Sequence, residues 1–166
     1  YEEAMEVYDT ALGIIPGNTG LLYARALIAE RMGRIDILEQ DIKTILKTEP
    51  DNGHALNALG YTLVDQTDRY EEAYEYLRRA IEILPDDAAV IDSYGWVNYR
   101  LGKYDVAIEL LRKALARYDD SEIAAHLGEV LWVSGAREEA KKVWEKALQS
   151  FPGDLLLQKV MRRLIP

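Results

Sequence analysis

Prolines recur along this chain at a nearly fixed interval, and that interval limits the folds open to it. Pro16, Pro50 and Pro85 stand 34 and 35 residues apart, and Pro152 follows Pro85 after 67, two further periods. Asp119 occupies the place in between where a proline is skipped. Small residues keep the same phase. Gly60, Gly95 and Gly128 form one series, and Gly33, Gly102 and Gly135 a second. Ala73, Ala107 and Ala140 form a third, and Ala80, Ala114 and Ala147 a fourth. The run Tyr1, Glu2, Glu3, Ala4 returns as Tyr70, Glu71, Glu72, Ala73 and, with Arg137 first, at Ala140. Several small-residue series locked to one period mean an array of like units.

Each unit reads as two helices. After each proline comes an Asp or Asn able to accept hydrogen bonds from the free N–H groups of a helix start: Asn18, Asp51 and Asn52, Asp86 and Asp87, Asp154. Apolar and small residues then follow at helical spacing, as in Leu56, Leu59, Gly60 and Leu63, or Ala124, Leu127, Gly128 and Leu131. Gly33, Gly102 or Gly135 ends the first helix, because glycine takes up the left-handed cap without steric cost. The second helix carries Tyr70, Ala73, Leu77, Ala80, Ile81 and Leu84, and likewise Tyr104, Ala107, Leu111, Ala114 and Leu115. Glu75 with Arg79, and Glu109 with Lys113, are spaced to pair along its outer face. Sustained alternation of the kind a strand needs is absent from the sequence.

These residues resemble the tetratricopeptide repeat (TPR) family over nearly the whole chain. The resemblance implies an all-α fold, a right-handed α-solenoid of antiparallel helix pairs closed by a C-terminal capping helix. The expected division is 1–16, the second helix of a truncated repeat; 17–50, a degenerate repeat; 51–85, 86–119 and 120–152, three repeats; and 153–166, the capping helix. The first helix belonging to residues 1–16 is expected upstream. In the cap, Leu156, Leu157, Val160, Met161 and Leu164 are expected to cover the last unit while Gln158, Lys159, Arg162 and Arg163 face water. Departures from the family pattern are local. Ala26 replaces the packing glycine and Leu38 the usual alanine; Gln66 to Asp68 carry one extra residue and no glycine; Asn98 replaces an apolar residue; Asp119 replaces proline.

Composition excludes several function classes. The chain has 20 Lys and Arg against 29 Asp and Glu, a net charge of −9, so phosphate backbones are repelled and nucleic acid is not an expected partner. It has no cysteine, which removes thiol catalysis, disulfides and cysteine-based metal sites. Its two histidines, His54 and His126, are 72 residues apart, too few and too scattered for a metal centre. The Glu pairs at 2–3, 71–72 and 138–139 open helices, where negative charge suits the helix dipole. Neither a phosphate-binding glycine loop nor a nucleophile elbow is present. Metal, cofactor and enzymatic activity are accordingly not expected.

One stripe beside the packing glycines carries the functional signal. Its residues in successive units include Tyr23; then Asn57, Tyr61 and Asp65; then Asp92, Trp96, Tyr99 and Arg100; then Glu129 and Trp132, with His126 near the rim. The TPR resemblance implies that this stripe lines a concave groove that holds peptides or partner helices. Aromatic rings with polar tips among Arg, Asn and Asp suit such a surface. For Tyr23 and Tyr61, filling of the interior is an equally good reading. No lysine lies in the stripe and Asp65, Asp92 and Glu129 do, so a clamp for a free C-terminal carboxylate is disfavoured.

Residues 55–65, 92–102 and 124–132 resemble more narrowly the C-terminal part of bacterial TPR-containing outer-membrane lipoproteins, among them lipoprotein partners of periplasmic carboxy-terminal processing proteases. That resemblance implies a non-enzymatic adaptor at the periplasmic face of the outer membrane. Its partners would be a periplasmic protease and its protein substrates. Membrane attachment would come only through a lipid anchor upstream, and a homo-oligomer is a further expectation. The alternatives are a structural assembly scaffold of the cell envelope and a regulatory TPR segment of a larger enzyme.

Overall fold

Proline, Asn or Asp, and glycine punctuate ten helices. In the computed structural model, which describes residues 1–165, these are α1 (Glu2–Ile14), α2 (Thr19–Arg31), α3 (Ile35–Thr48), α4 (Gly53–Gln66), α5 (Tyr70–Ile83), α6 (Ala88–Arg100), α7 (Tyr104–Arg117), α8 (Ser121–Val133), α9 (Arg137–Ser150) and α10 (Leu155–Leu164). Among the described residues there is no strand. The chain divides into two units, Tyr1–Leu84 with α1 to α5, and Pro85 onward with α6 to α10.

The even-numbered helices start on side-chain caps. Asn18, Asn52, Asp87 and Asp154 each accept a hydrogen bond from the backbone N–H three residues on, and Asp120 serves the turn where proline is missing. Each such cap stabilises its helix by about 1 kcal/mol. Gly33, Gly102 and Gly135, which follow α2, α6 and α8, have φ of 68°, 77° and 98°. The turn from α4 to α5 has no glycine. There Thr67 is extended, its hydroxyl donates to the Leu63 carbonyl and accepts from the Arg69 N–H, and the turn closes without a left-handed residue.

In unit 1, α2 packs on α3 and α4 on α5; in unit 2, α6 packs on α7 and α8 on α9. Small residues set the closeness of these pairs. A Cβ at Gly60 would lie 2.5 Å from Leu77 Cγ, and one at Gly95 would lie 2.9 Å from Leu111 Cγ. In the α8–α9 pair the partner is Trp144, fully buried against Gly128, with its Nε1 3.5 Å from the Ala125 carbonyl oxygen.

Polar clamps tie the α4–α5, α6–α7 and α8–α9 pairs to the turns that precede them. Arg79 of α5 donates to the Pro50 carbonyl at 2.5 Å, and Lys113 of α7, at the same place in its helix, donates to the Pro85 carbonyl at 3.3 Å. The expected pairing of these two cations with Glu75 and Glu109 does not form; Glu75 pairs with Arg78 instead. Reaching back to a turn carbonyl satisfies a main-chain acceptor that a neighbouring glutamate would leave to water. In the α8–α9 pair the Ser150 hydroxyl donates to Asp119 at 3.2 Å. Asn98 is buried and donates to the Tyr94 carbonyl at 2.7 Å, so the odd polar residue is absorbed within its own helix.

Unit 1 also holds an ionic tie among three helices. Arg25 of α2 grips the buried Asp41 of α3 through Nε and Nη2 at 2.8 and 2.6 Å, and reaches Asp9 of α1 through Nη1 at 2.6 Å. In unit 2, α10 packs mainly against α8, burying Leu157 and Val160. Arg162 and Arg163 are exposed as expected, as is Lys159, while Met161 and Leu164 are half-buried. Leu156 remains exposed.

Candidate functional site

The stripe residues of unit 2 lie on α6 and α8, and the fold brings most of them together. Asp92 and His126, 34 residues apart, are both buried, and the imidazole Nδ1 sits 3.0 Å from each Asp92 carboxylate oxygen. A carboxylate only accepts, so Nδ1 carries the proton and donates. The same imidazole stacks on the indole of Trp96, with centroids 4.0 Å apart and planes 17° from parallel. Trp96 is 6% exposed and Tyr99 packs against it at 4.9 Å. Trp96 and His126, expected on the open face and its rim, are therefore interior residues of unit 2. The stacked pair fills the space between α6 and α8, and the buried Asp92 carboxylate satisfies the imidazole.

Tyr99 remains half-buried at the edge of this cluster. Its hydroxyl donates to Glu129 Oε1 at 3.2 Å, while Arg163 of α10 engages the other carboxylate oxygen of Glu129. Burial first, then the charge and the hydrogen bond of Glu129, push the Tyr99 phenol up to about 12. Tyr99 is thus a fixed, protonated ring with one edge toward solvent. Trp132 is also half-buried, lying 5.9 Å from the Trp144 ring on one side, with the Arg137 guanidinium carbon 5.2 Å over its face. Arg100 is half-buried on the last turn of α6. In unit 2 the stripe splits into an interior set, Asp92, Trp96, His126 and Glu129, and a solvent-touching set, Tyr99, Arg100 and Trp132.

In unit 1, Tyr23, Asn57 and Tyr61 are half-buried and Asp65 is exposed. Three contributors were missed in the sequence. Trp144 stands four residues after Ala140, as Leu77 follows Ala73 and Leu111 follows Ala107, so the register alone marks it as the packing partner of Gly128. Arg163 stands 34 residues after Glu129, one repeat on. The Arg25–Asp41 grip has no sequence signal beyond a charged residue on an otherwise apolar face.

Among the described residues no three His, Cys, Asp or Glu side chains gather as a metal site would require. No helix among them is long and apolar enough to cross a membrane. The arrangement offers aromatic faces, hydrogen-bond donors and carboxylates for recognition.

Family models described as tetratricopeptide repeat match residues 51–120 and 95–154. A TPR repeat-containing protein of Pseudomonas aeruginosa is 48% identical over 128 residues, which is 77% of this chain and 22% of that protein. The chain thus spans under a quarter of that relative's length. Among solved structures, a thermophilic TPR protein of Thermus thermophilus is 28% identical with a TM-score of 0.85, covering 100% of this chain and 91% of that one. YrrB, described as a TPR protein with an unusual peptide-binding site, shares the fold at 20% identity and a TM-score of 0.69, covering 97% of this chain and 83% of its own. With the repeat period, the glycine-paired helices and these matches in agreement, the chain belongs to the tetratricopeptide repeat family.

Proposed function

We propose that this chain is the protein-binding part of a cell-envelope adaptor. It would hold a segment of a client protein against α6 and α8 of unit 2 and bring that client to a periplasmic protease at the outer membrane. TPR domains bind protein or peptide partners and are generally non-catalytic scaffolds, which supports a binding role over a catalytic one. The protease, the client and the location are the finer part of the proposal, and they rest on the resemblance of residues 55–65, 92–102 and 124–132 to envelope lipoproteins.

One observation carries the choice of surface. Tyr99 and Trp132 keep solvent access while their orientations are set by Glu129 on one side and by Trp144 and Arg137 on the other. Rings held in place before binding lose little rotamer freedom on contact, and such aromatics dominate binding energy where they occur. The buried Trp96–His126–Asp92 cluster acts behind them as a support that fixes α6 against α8.

The test is reconstituted proteolysis. A periplasmic carboxy-terminal processing protease is incubated with an envelope protein substrate, with and without this chain, and cleavage is followed by mass spectrometry. The expected result is faster cleavage with the native chain and no acceleration with Tyr99→Ala plus Trp132→Ala, the variant being checked for native helicity. Equal acceleration by both proteins would remove this surface from the proposal, and no acceleration by either would remove the protease.

A further inference from the structure

Three helices of unit 2 meet at one carboxylate. Glu129 of α8 is buried. Its Oε1 accepts from the Tyr99 hydroxyl of α6 at 3.2 Å, and its Oε2 pairs with the Arg163 guanidinium of α10. The two partners stand 30 residues before it and 34 after it. A buried carboxylate stays charged only where donors match its oxygens, so each partner holds one half of Glu129 in place.

The two partners are unequal. Tyr99 is a neutral donor on a half-buried ring. Arg163 is a cation whose side chain is 58% exposed, and it sits on a lightly anchored element. The helix α10 is the shortest of the ten, with ten residues. It buries Leu157 and Val160 and leaves Leu155 and Leu156 in solvent. At its start the Ser121 hydroxyl of α8 donates to Asp154 at 2.7 Å. Elements with few buried apolar contacts open first. When α10 lifts, Arg163 leaves with it, and of the pair only the Tyr99 phenol stays on Glu129. One neutral donor does not replace the hydration of a carboxylate. Glu129 then turns toward water, and Tyr99 loses the acceptor that fixes its ring. In the docked state the charge of Arg163 already reaches Tyr99: burial and Glu129 raise the phenol, and Arg163 opposes them.

We propose that α10 sets the α6–α8 surface: Arg163 is a positioning residue that holds Glu129 and, through Glu129, holds Tyr99 in its binding orientation. Docked, the helix presents Tyr99 as a fixed ring. Lifted, it releases that ring and weakens binding. The effect on binding rests on the reading of Tyr99 and Trp132 as the client-binding pair, whereas the positioning rests on the Tyr99–Glu129–Arg163 contacts alone. Trp132 is an internal reference, because its ring is held by Trp144 and Arg137 instead.

The experiment is ¹³C relaxation NMR of the tyrosine and tryptophan rings of the 166-residue chain at neutral pH, with no ligand added. Tyr99→Phe assigns the Tyr99 signals among the 11 tyrosines, and Trp132→Phe assigns those of Trp132. Arg163→Gln removes the cation. Leu157→Ala with Val160→Ala lifts α10 while leaving Arg163 in the chain. In both variants the order parameter of the Tyr99 ring should fall from the ordered range, about 0.85, to about 0.6 or less. In Arg163→Gln the Trp132 ring should keep its native value, and Arg163→Lys, which retains a cation, should bring Tyr99 to an intermediate order. An unchanged Tyr99 ring in Arg163→Gln, or equal loosening of Tyr99 and Trp132 in that variant, would overturn the proposal. In the reconstituted proteolysis, Arg163→Gln should cut the acceleration by about two- to tenfold, the cost of immobilising one side chain on binding. Full acceleration by Arg163→Gln would overturn the control of binding by α10. No acceleration by the native chain would remove the protease reading, and the ring measurements would still decide the role of Arg163.

Discussion

The imidazole of His126 is held between two residues of one neighbouring helix: its Nδ1 lies 3.0 Å from both carboxylate oxygens of Asp92, and its ring stacks on Trp96. Asp92→Ala would leave a buried N–H without an acceptor, and leaving such a donor unpaired costs about 1–3 kcal/mol. Urea unfolding of the variant should show a loss in that range, and Asp92→Asn, which keeps an acceptor oxygen, should lose less. Equal losses would mean that charge, not the hydrogen bond, matters at Asp92.

Gly128 and Gly95 occupy equivalent positions but meet different partners. A Cβ at Gly128 would fall 2.6 Å from Trp144 Cδ1 and closer still to Nε1, in a rigid ring. At Gly95 the obstacle is the flexible Leu111 side chain, at 2.9 Å. Overpacking of a filled core costs about 1–3 kcal/mol. Gly128→Ala should therefore sit at the upper end of that range and Gly95→Ala at the lower, read from the difference in denaturation midpoint.

Arg25 pairs with an Asp41 that is only 1% exposed. Removing the guanidinium strands a buried carboxylate, at a cost of about 3 kcal/mol or more. Arg25→Ala should thus be far more damaging than Arg78→Ala, whose partners Glu75 and Glu82 stand in solvent. Comparable midpoints for the two variants would show that Asp41 finds another partner.

Tyr99 gives the chain an alkaline limit. Burial, then Glu129, raises its phenol to about 12, so the folded state favours the protonated ring. That contribution is complete below the ordinary tyrosine value near ~10 and is lost as pH rises from there through about 12. Tyr99→Phe should flatten the fall of stability across that window, relative to the native chain, in unfolding curves taken at each pH.

Asp154 gives an acid limit of the opposite sign. The N–H of Leu157, at the start of α10, holds its carboxyl below the usual range, helped by the Ser121 hydroxyl and opposed by burial. Its contribution is present at neutral pH and is lost as pH falls through and below the carboxylate range. Asp154→Ala should cost about 1 kcal/mol at neutral pH, as loss of a helix cap does, and should fray α10 first, read by amide exchange.

The helices were legible because their boundaries are local chemistry. Asn52 and Asp87 cap where a side-chain oxygen reaches three residues on, and Gly102 turns where only a residue without Cβ turns freely. The candidate site was only partly legible. Trp96 and Tyr99 share a stripe by spacing, but three residues make less than a full helical turn, and that difference puts one ring inside and leaves the other at the edge. Whether His126 stacks on Trp96 depends on how α8 is set against α6, which the phase of a repeat does not encode. Arg79 and Lys113 show the same limit: their spacing to Glu75 and Glu109 suits a pair, and the carbonyls of Pro50 and Pro85, distant in sequence, take them instead.

The placement of Trp144 over Gly128 has a spectroscopic consequence. The chain has three tryptophans, and with Trp96 and Trp132 all of them follow Pro85. Indole emission therefore reports on the second unit alone, while far-ultraviolet dichroism reports on helices of both. A melt followed by the two signals together measures, without any label, whether residues 1–84 and the rest of the chain lose their structure at one temperature or at two.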